Sequence, residues 1–216
     1  MSNPDKEYQQ FNLTRRVFLT LSTAAGLLGL IPGVSYANII REVKGKVWVN
    51  NITATSTTLI KPGDTVKTGE NGRIIFVIGE DVYRLGSRST LRLRGDEESS
   101  LVSTMRLLNG TLMSVFGKGN RVIQPPTAAI GIRGTGIFIQ VNPKGTYFCT
   151  CYGHTEITLR GNQRVQSVSS NHHQAYFITH NLDDPQISTD TLKEHQDQEL
   201  FYLESLVGRK PPNYFK

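Results

Sequence analysis

From Ile39 onward, apolar and polar residues alternate with period two, the spacing of extended strands with one buried face. Val43, Gly45, Val47 and Val49 alternate with Lys44, Lys46, Trp48 and Asn50. Leu59-Ile60-Lys61-Pro62-Gly63-Asp64 then predicts a turn before the strand Thr65 to Thr68. Asn71-Gly72 predicts a tight hairpin with positive φ angles, leading into the apolar strand Arg73 to Ile78. The rhythm continues through Val82 to Leu85, Thr90 to Arg94 and Arg106 to Leu108, with a turn at Asn109-Gly110 before Thr111 to Phe116. It then runs through Arg121 to Ile123, Ile137 to Val141, Thr146 to Tyr152, Thr155 to Leu159 and Ala175 to Thr179. About ten short strands at this spacing predict an all-β sandwich or roll.

The C-terminal segment changes period. Thr191-Leu192-Lys193-Glu194 has the form of a capping box, and Leu192, Leu200, Leu203, Leu206 and Val207 place an apolar stripe on one helical face. Gly208 is the expected stop, followed by Pro211-Pro212. The predicted organisation is a leader over 1–37, a β domain over 38–181, and a linker with an amphipathic helix over 182–216. The expected role of the helix is to cover an open face or edge of the β domain.

The leader has a polar start, then Arg15-Arg16-Val17-Phe18-Leu19, a mild apolar stretch, and Ser35-Tyr36-Ala37. Paired arginines followed by x-Phe-Leu resemble the twin-arginine export signal, and the small-x-Ala ending predicts cleavage after Ala37. Arg15, Arg16, Phe18, Leu19 and Ala37 are therefore the expected signal residues, the Tat export machinery the expected partner, and the periplasm the expected destination. Beyond residue 37 no apolar run reaches the roughly 18 residues of a spanning helix.

Composition narrows the choices. The 216 residues fit one domain with an appendage, and the two cysteines cannot build a disulfide framework, so the core must hold by packing. The net charge of +6 is modest and no Lys/Arg cluster with interleaved aromatics occurs, which argues against nucleic acid.

Several segments carry a resemblance. They are Gly45 to Val49, Leu59 to Gly69, Asn71-Gly72-Arg73, Arg84-Leu85-Gly86, Ser89 to Leu93, Leu107 to Leu112 and Thr127 to Thr135. In this order and spacing, over about residues 43–160, they resemble the FecR domain, a periplasmic β module named after an iron-dicitrate transport regulator. The resemblance implies a non-enzymatic module that binds a partner protein or ligand in periplasmic sensing or envelope assembly. Longer members are implied to add a cytoplasmic anti-sigma region, a membrane helix and a docking domain. The sequence carries no counterpart of these, so a stand-alone exported module is expected. Gly131 and Gly134 flank Arg133 on a tight backbone path. Arg133 is then either a contact for an anionic ligand or partner, or a side chain that pairs internally to fix the bend.

The unusual chemistry lies in Cys149-Thr150-Cys151-Tyr152-Gly153-His154, followed by His172-His173. Residues i and i+2 share a strand face, so the thiols point the same way, in step with Thr155, Ile157 and Leu159, while His154 has the opposite parity. In the family pattern these two places carry core valines. Two readings are open. Cys149 and Cys151, completed from His154, His172 and His173, would hold Zn or Cu or form a redox site. Alternatively, both are small core residues with no cofactor. Cys-x-Cys lacks the two-residue spacer of zinc knuckles, and His172 and His173 would face opposite ways on a strand.

Catalytic motifs are missing from the sequence. There is no His-Glu-x-x-His and no Gly-x-Ser-x-Gly, and Gly117-Lys118-Gly119-Asn120 lacks the ending of a phosphate loop. Asp96-Glu97-Glu98 and Asp183-Asp184 read as solvated turns, and no enzymatic activity is expected.

Overall fold

The computed structural model describes residues 38–215 except Ser99, Ser100, Asn162, Leu182 and Tyr214, so the expected signal residues Arg15, Arg16, Phe18, Leu19 and Ala37 lie outside the described residues. Fourteen strands follow, then one helix: β1 (Ile39–Lys44), β2 (Val47–Val49), β3 (Ile52–Thr53), β4 (Thr65–Thr68), β5 (Arg73–Ile78), β6 (Asp81–Leu85), β7 (Thr90–Asp96), β8 (Leu101–Val115), β9 (Asn120–Ile123), β10 (Ala128–Asn142), β11 (Gly145–Leu159), β12 (Val165–Ser170), β13 (Gln174–Thr179), β14 (Ile187–Asp190) and α1 (Asp197–Ser205). The all-β expectation holds.

Pairing connects all the strands, but three long ones make two layers of them. The second half of β8 pairs with β6 and β10, and its first half pairs with β7. Strands β10 and β11 pair along their full lengths, with β9 and β12 on their far ends and β13 beside the first half of β11. One layer therefore runs β1-β5-β6-β8-β10-β11-β13-β14, and the other β3-β2-β4-β7-β8-β9-β10-β11-β12. Between them lies the main core, with Phe76, Tyr83, Ile137 and Phe148 from the first layer and Val66, Leu91, Met105 and Ile130 from the second.

The predicted turns and the observed strands differ in instructive ways. Asn109-Gly110 lies inside β8 rather than between two strands, and Thr146 to Tyr152 and Thr155 to Leu159 belong to one strand. At each such place the chain bends in the sheet and passes from one layer to the other. Opposite Gly136 and Ile137, β11 presents Tyr152 and Thr150, so Cys151 is an extra residue in the ladder. Gly134 and Gly153 flank this bulge in the left-handed region, at φ of 55° and 92°. The positive φ expected at Asn71-Gly72 occurs instead at Asn50-Asn51, the two-residue loop between Val49 and Ile52. Gly72 serves a close backbone approach instead, since a Cβ there would lie 2.4 Å from the Lys46 carbonyl oxygen.

The outer face of the first layer is also apolar. Ile75, Val77, Val82, Met113 and Phe138 form a second core beneath Leu200, Leu203, Val207 and Phe215. The helix thus covers a face of the β domain, as its stripe predicts. It starts later than expected, because Glu194 has a φ of 58° and Thr191 to His195 cross the sheet outside any helix. The box that opens it is Gln196-x-x-Glu199, with the Gln196 N–H donating to Glu199 Oε2 at 3.2 Å. Leu192 is exposed and off the stripe. Gly208, at φ 66°, closes the helix end, and the Arg209 N–H returns to the Glu204 carbonyl at 3.0 Å. Residues 182–216, expected as linker and helix, also contain β14, which adds an edge strand to β13.

Candidate metal centre

The bulge in β11 decides where the cysteines face. Before it, Phe148 points into the main core while Tyr147, Cys149 and Cys151 point to the second core; after it, Ile157 and Leu159 point into the main core. The expectation that both thiols continue in step with Thr155, Ile157 and Leu159 is therefore incorrect, because the extra residue reverses the parity. Both thiols lie beneath the C-terminal segment, are fully buried and are not cross-linked.

Two histidines meet them there. His173 sits in the turn between β12 and β13 at a φ of 43°, with its N–H donating to the Cys151 carbonyl at 2.9 Å. His195 comes from the crossing segment just before α1, and its ring stacks on Phe138 with centroids 4.5 Å apart. His173 Nδ1 is 3.5 Å from Cys149 Sγ, His195 Nε2 is 3.5 Å from Cys151 Sγ, and the two nitrogens are 3.2 Å apart. All four donor atoms lie within 4.8 Å of one another.

The far ring nitrogens settle which way the lone pairs point. His195 Nδ1 can only donate to the Lys193 carbonyl at 2.7 Å, which leaves Nε2 as an acceptor in the neutral ring. His173 Nε2 donates to Asp197 Oδ1 at 2.7 Å, which does the same for Nδ1. Two acceptor nitrogens and two sulfurs thus lie within 4.8 Å of one another, where a cation or a shared proton can hold them together. For tetrahedral zinc, Zn–S bonds of ~2.3 Å and Zn–N bonds of ~2.05 Å set S···N edges near ~3.5 Å and an N···N edge near ~3.3 Å. Three of the six edges, at 3.5, 3.5 and 3.2 Å, match that frame, and the other three lie within 4.8 Å.

Without an ion, the cluster stores negative charge on one sulfur. A hydrogen bond from Cys151 draws the Cys149 thiol down to about 4, against its burial, and His173 and His195 add to the effect. Burial pushes the Cys151 thiol up, and the charge on Cys149 adds to it. Burial opposes a charge on His173, but the Cys149 sulfur and Asp197 outweigh it and raise the ring above its ordinary value. Burial also acts against the Asp197 carboxylate, which His173 and His172 nevertheless hold below the usual range. The second core can therefore ionise a thiol, which a plain apolar pocket does not do.

Of the predicted candidates, Cys149, Cys151 and His173 come together. His154 does not: it lies beyond the bulge, half exposed on the outer face of the second layer, with Nδ1 3.0 Å from the Ser169 hydroxyl. His172 stands outside the four, 3.2 Å from Asp197 Oδ2, so it braces the carboxylate that orients His173. The two histidines do not face opposite ways, because they lie in a turn and not on a strand. His195 is not among the residues that the sequence singles out, since its polar neighbours Lys193, Glu194 and Gln196 look like the first turn of a helix. The apolar stripe held a clue: a helix that covers the sheet face bearing Cys149 and Cys151 must bring its preceding residues across them.

Arg133 is exposed opposite His154, and among the described residues its side chain has no ion pair or hydrogen bond. Gly134 makes the bend by its own conformation, so internal pairing of Arg133 is not what fixes it.

No family model and no curated protein matches the chain. Two crystal structures of a "putative anti-sigma factor" from Parabacteroides distasonis are similar to it, with TM-scores of 0.48 and 0.49 at 7% and 8% identity. Each alignment covers 58% of this chain and 59% of the other, so the chain spans about three-fifths of the length of the structures it matches.

Proposed function

We propose that this chain is a non-enzymatic β module that holds one zinc ion between Cys149, Cys151, His173 and His195. The observation that carries the reading is the set of edges between donor atoms, joined to the two outer hydrogen bonds that fix both ring orientations. Two thiolates neutralise a divalent ion, and the tetrahedral S₂N₂ set suits zinc better than copper(II), which prefers tetragonal nitrogen and oxygen sites. Four protein ligands in a buried shell correspond to a structural zinc site, whereas catalytic sites keep a position open for water or substrate. The twin-arginine-like leader suits this chemistry, because the route takes folded chains and the ion can be loaded while the thiols are reduced. Periplasmic residence after cleavage near Ala37 is part of the same proposal. The test is metal analysis of the protein isolated from the exported fraction. One zinc per chain, lost in Cys149→Ser and retained in His154→Ala, supports the reading. Absence of stoichiometric metal from the wild-type protein overturns it.

A second reading, binding of an envelope partner or ligand, has its own feature. A groove of about 1040 Å³ runs between the β1 end of the first layer and the crossing segment, lined by Lys44, Arg73, Arg88, Asn109, Gln140 and Glu194 among others. Its polar rim suits a hydrated partner more than a lipid chain. Cross-linking from this rim in envelope extracts tests it, and recovery of nothing beyond export machinery would remove its support.

A further inference from the structure

We propose that the C-terminal arm, residues 191–215, is the gate of the zinc site: zinc enters and leaves when the arm lifts, and bound zinc latches the arm to the β domain. This rests on the zinc reading above.

The ligands divide unequally. Cys149 and Cys151 lie on β11, which is paired on one side with β10 and on the other with β13 and β12, and His173 is tied to β11 through the Cys151 carbonyl. His195 alone of the four belongs to the arm, and Asp197, which orients His173, is the first residue of α1. The thiols are fully buried and the side chains of His173 and His195 nearly so, so a hydrated ion cannot reach the four donors in this arrangement. Something has to open, and the strands on either side of β11 hold it by ladders that are interrupted only at the bulge.

The arm is held differently. The main-chain hydrogen bonds described for α1 and its flanks run within the arm, from Gln196 to Glu199 and from Ser205 to Gly208. Its ties to the β domain go through side chains. The Lys193 N–H donates to the Tyr147 hydroxyl at 3.2 Å, Arg84 pairs with Glu199 at 2.6 Å, and the Tyr152 hydroxyl donates to Glu204. Gln140 donates to Glu194 at 2.8 Å, Arg209 to the Glu80 carbonyl at 2.6 Å, and His173 to Asp197 at 2.7 Å across the same seam, and Leu200, Leu203, Val207 and Phe215 add apolar contact. Such an element detaches as a unit at far lower cost than a central strand, which is how local opening selects its segments. Zinc adds a bond across this one seam, from His195 to both sulfurs on β11, so its binding free energy is also docking free energy of the arm.

The test measures zinc transfer from the full chain to a colorimetric chelator, with Leu203→Ala as the gate variant and Leu91→Ala as the control. Leu203 belongs to the arm and supplies no donor atom to the site, whereas Leu91 is equally buried but lies in the other layer. Leu203→Ala is expected to speed release by about 30-fold or more, the effect of truncating a fully buried leucine acting on opening alone. Leu91→Ala is expected to change it by less than about 3-fold. Equal acceleration by both variants, or none by Leu203→Ala, overturns the gate. Hydrogen exchange of the wild-type chain gives a readout that needs no variant. Removing zinc should raise exchange in 197–207 and leave the 146–151 amides of β11 protected. If one zinc binds per chain and the arm exchanges alike with and without it, the latch is wrong and the zinc site stands. If no zinc binds, the earlier reading fails first, and the two failures are told apart.

Discussion

Cys151→Ser separates a ligand from a small core residue, because the two roles give opposite patterns when zinc is varied. Cys151 Sγ lies 3.5 Å from His195 Nε2 in a pocket without solvent exposure, so a hydroxyl there is buried whatever the role. That burial costs about 1–3 kcal/mol and does not depend on zinc. A structural zinc site contributes about 10–16 kcal/mol, so one leg of four is worth about 3–4 kcal/mol, or roughly 100- to 1,000-fold in affinity. With free zinc buffered at 100 times the wild-type dissociation constant, the wild-type protein gains about 2.7 kcal/mol. At about 2–4 °C per kcal/mol for a domain of this size, that is a rise of about 5–11 °C in Tm. The variant at the same zinc level sits at or below its own dissociation constant and should rise by less than about 2 °C. Differential scanning calorimetry in zinc buffers reads both values. A variant that melts lower in every buffer but rises by the same amount as wild type would refute the ligand assignment, and His154→Ala supplies the comparison that should rise in full.

Gly153→Ala should lower stability by about 1–3 kcal/mol in urea unfolding and weaken zinc binding together. The backbone there is left-handed, a Cβ would lie 2.4 Å from Thr135 Cγ2, and the bulge it flanks is what turns Cys149 and Cys151 toward the arm. Arg121→Ala should cost about 3–5 kcal/mol, because it leaves Asp81 buried without the guanidinium 2.8 Å away; loss below about 1 kcal/mol in the same assay would contradict the pairing. The metal-free protein should lose stability as pH falls from about 6.5 toward about 4. Over that range the unfolded chain carries a protonated Cys149 and a protonated His173, while the folded chain keeps the thiolate, so unfolding takes up a proton. Between 6.5 and the raised value of His173, the extra proton on the folded imidazole cancels that difference and the curve flattens. Stability that rises on acidification through this window would reverse the assignment of charge.

The sheet was readable because Val47, Val49, Val66, Leu91 and Leu93 alternate with polar residues along short runs, and a period of two is the mark of a half-buried strand. The layer crossings were not, since Asn109-Gly110 and Gly153 look like hairpin turns until the pairing of β8, β10 and β11 is known. A left-handed glycine serves a turn and a bulge equally well. That ambiguity passed directly into the site: with parity carried unbroken along β11, Cys149 and Cys151 join Ile157 in the main core and lose their histidines. His195 was hidden for another reason. It is 44 residues from Cys151 along the chain and contributes through tertiary docking, which local spacing does not encode. The helix stripe of Leu200, Leu203 and Val207 was visible, but its start was misplaced because Thr191 and Glu194 satisfy the capping pattern while Thr191 and Lys193 are engaged by Tyr147.

X-ray absorption at the zinc edge, on the full chain carrying one zinc, tests the central claim most directly. The account predicts a first shell of two sulfurs at about 2.3 Å and two imidazole nitrogens at about 2.0–2.1 Å, with one sulfur lost in Cys149→Ser. A shell of nitrogen and oxygen without sulfur would place the ion elsewhere and return both thiols to the role of buried apolar residues.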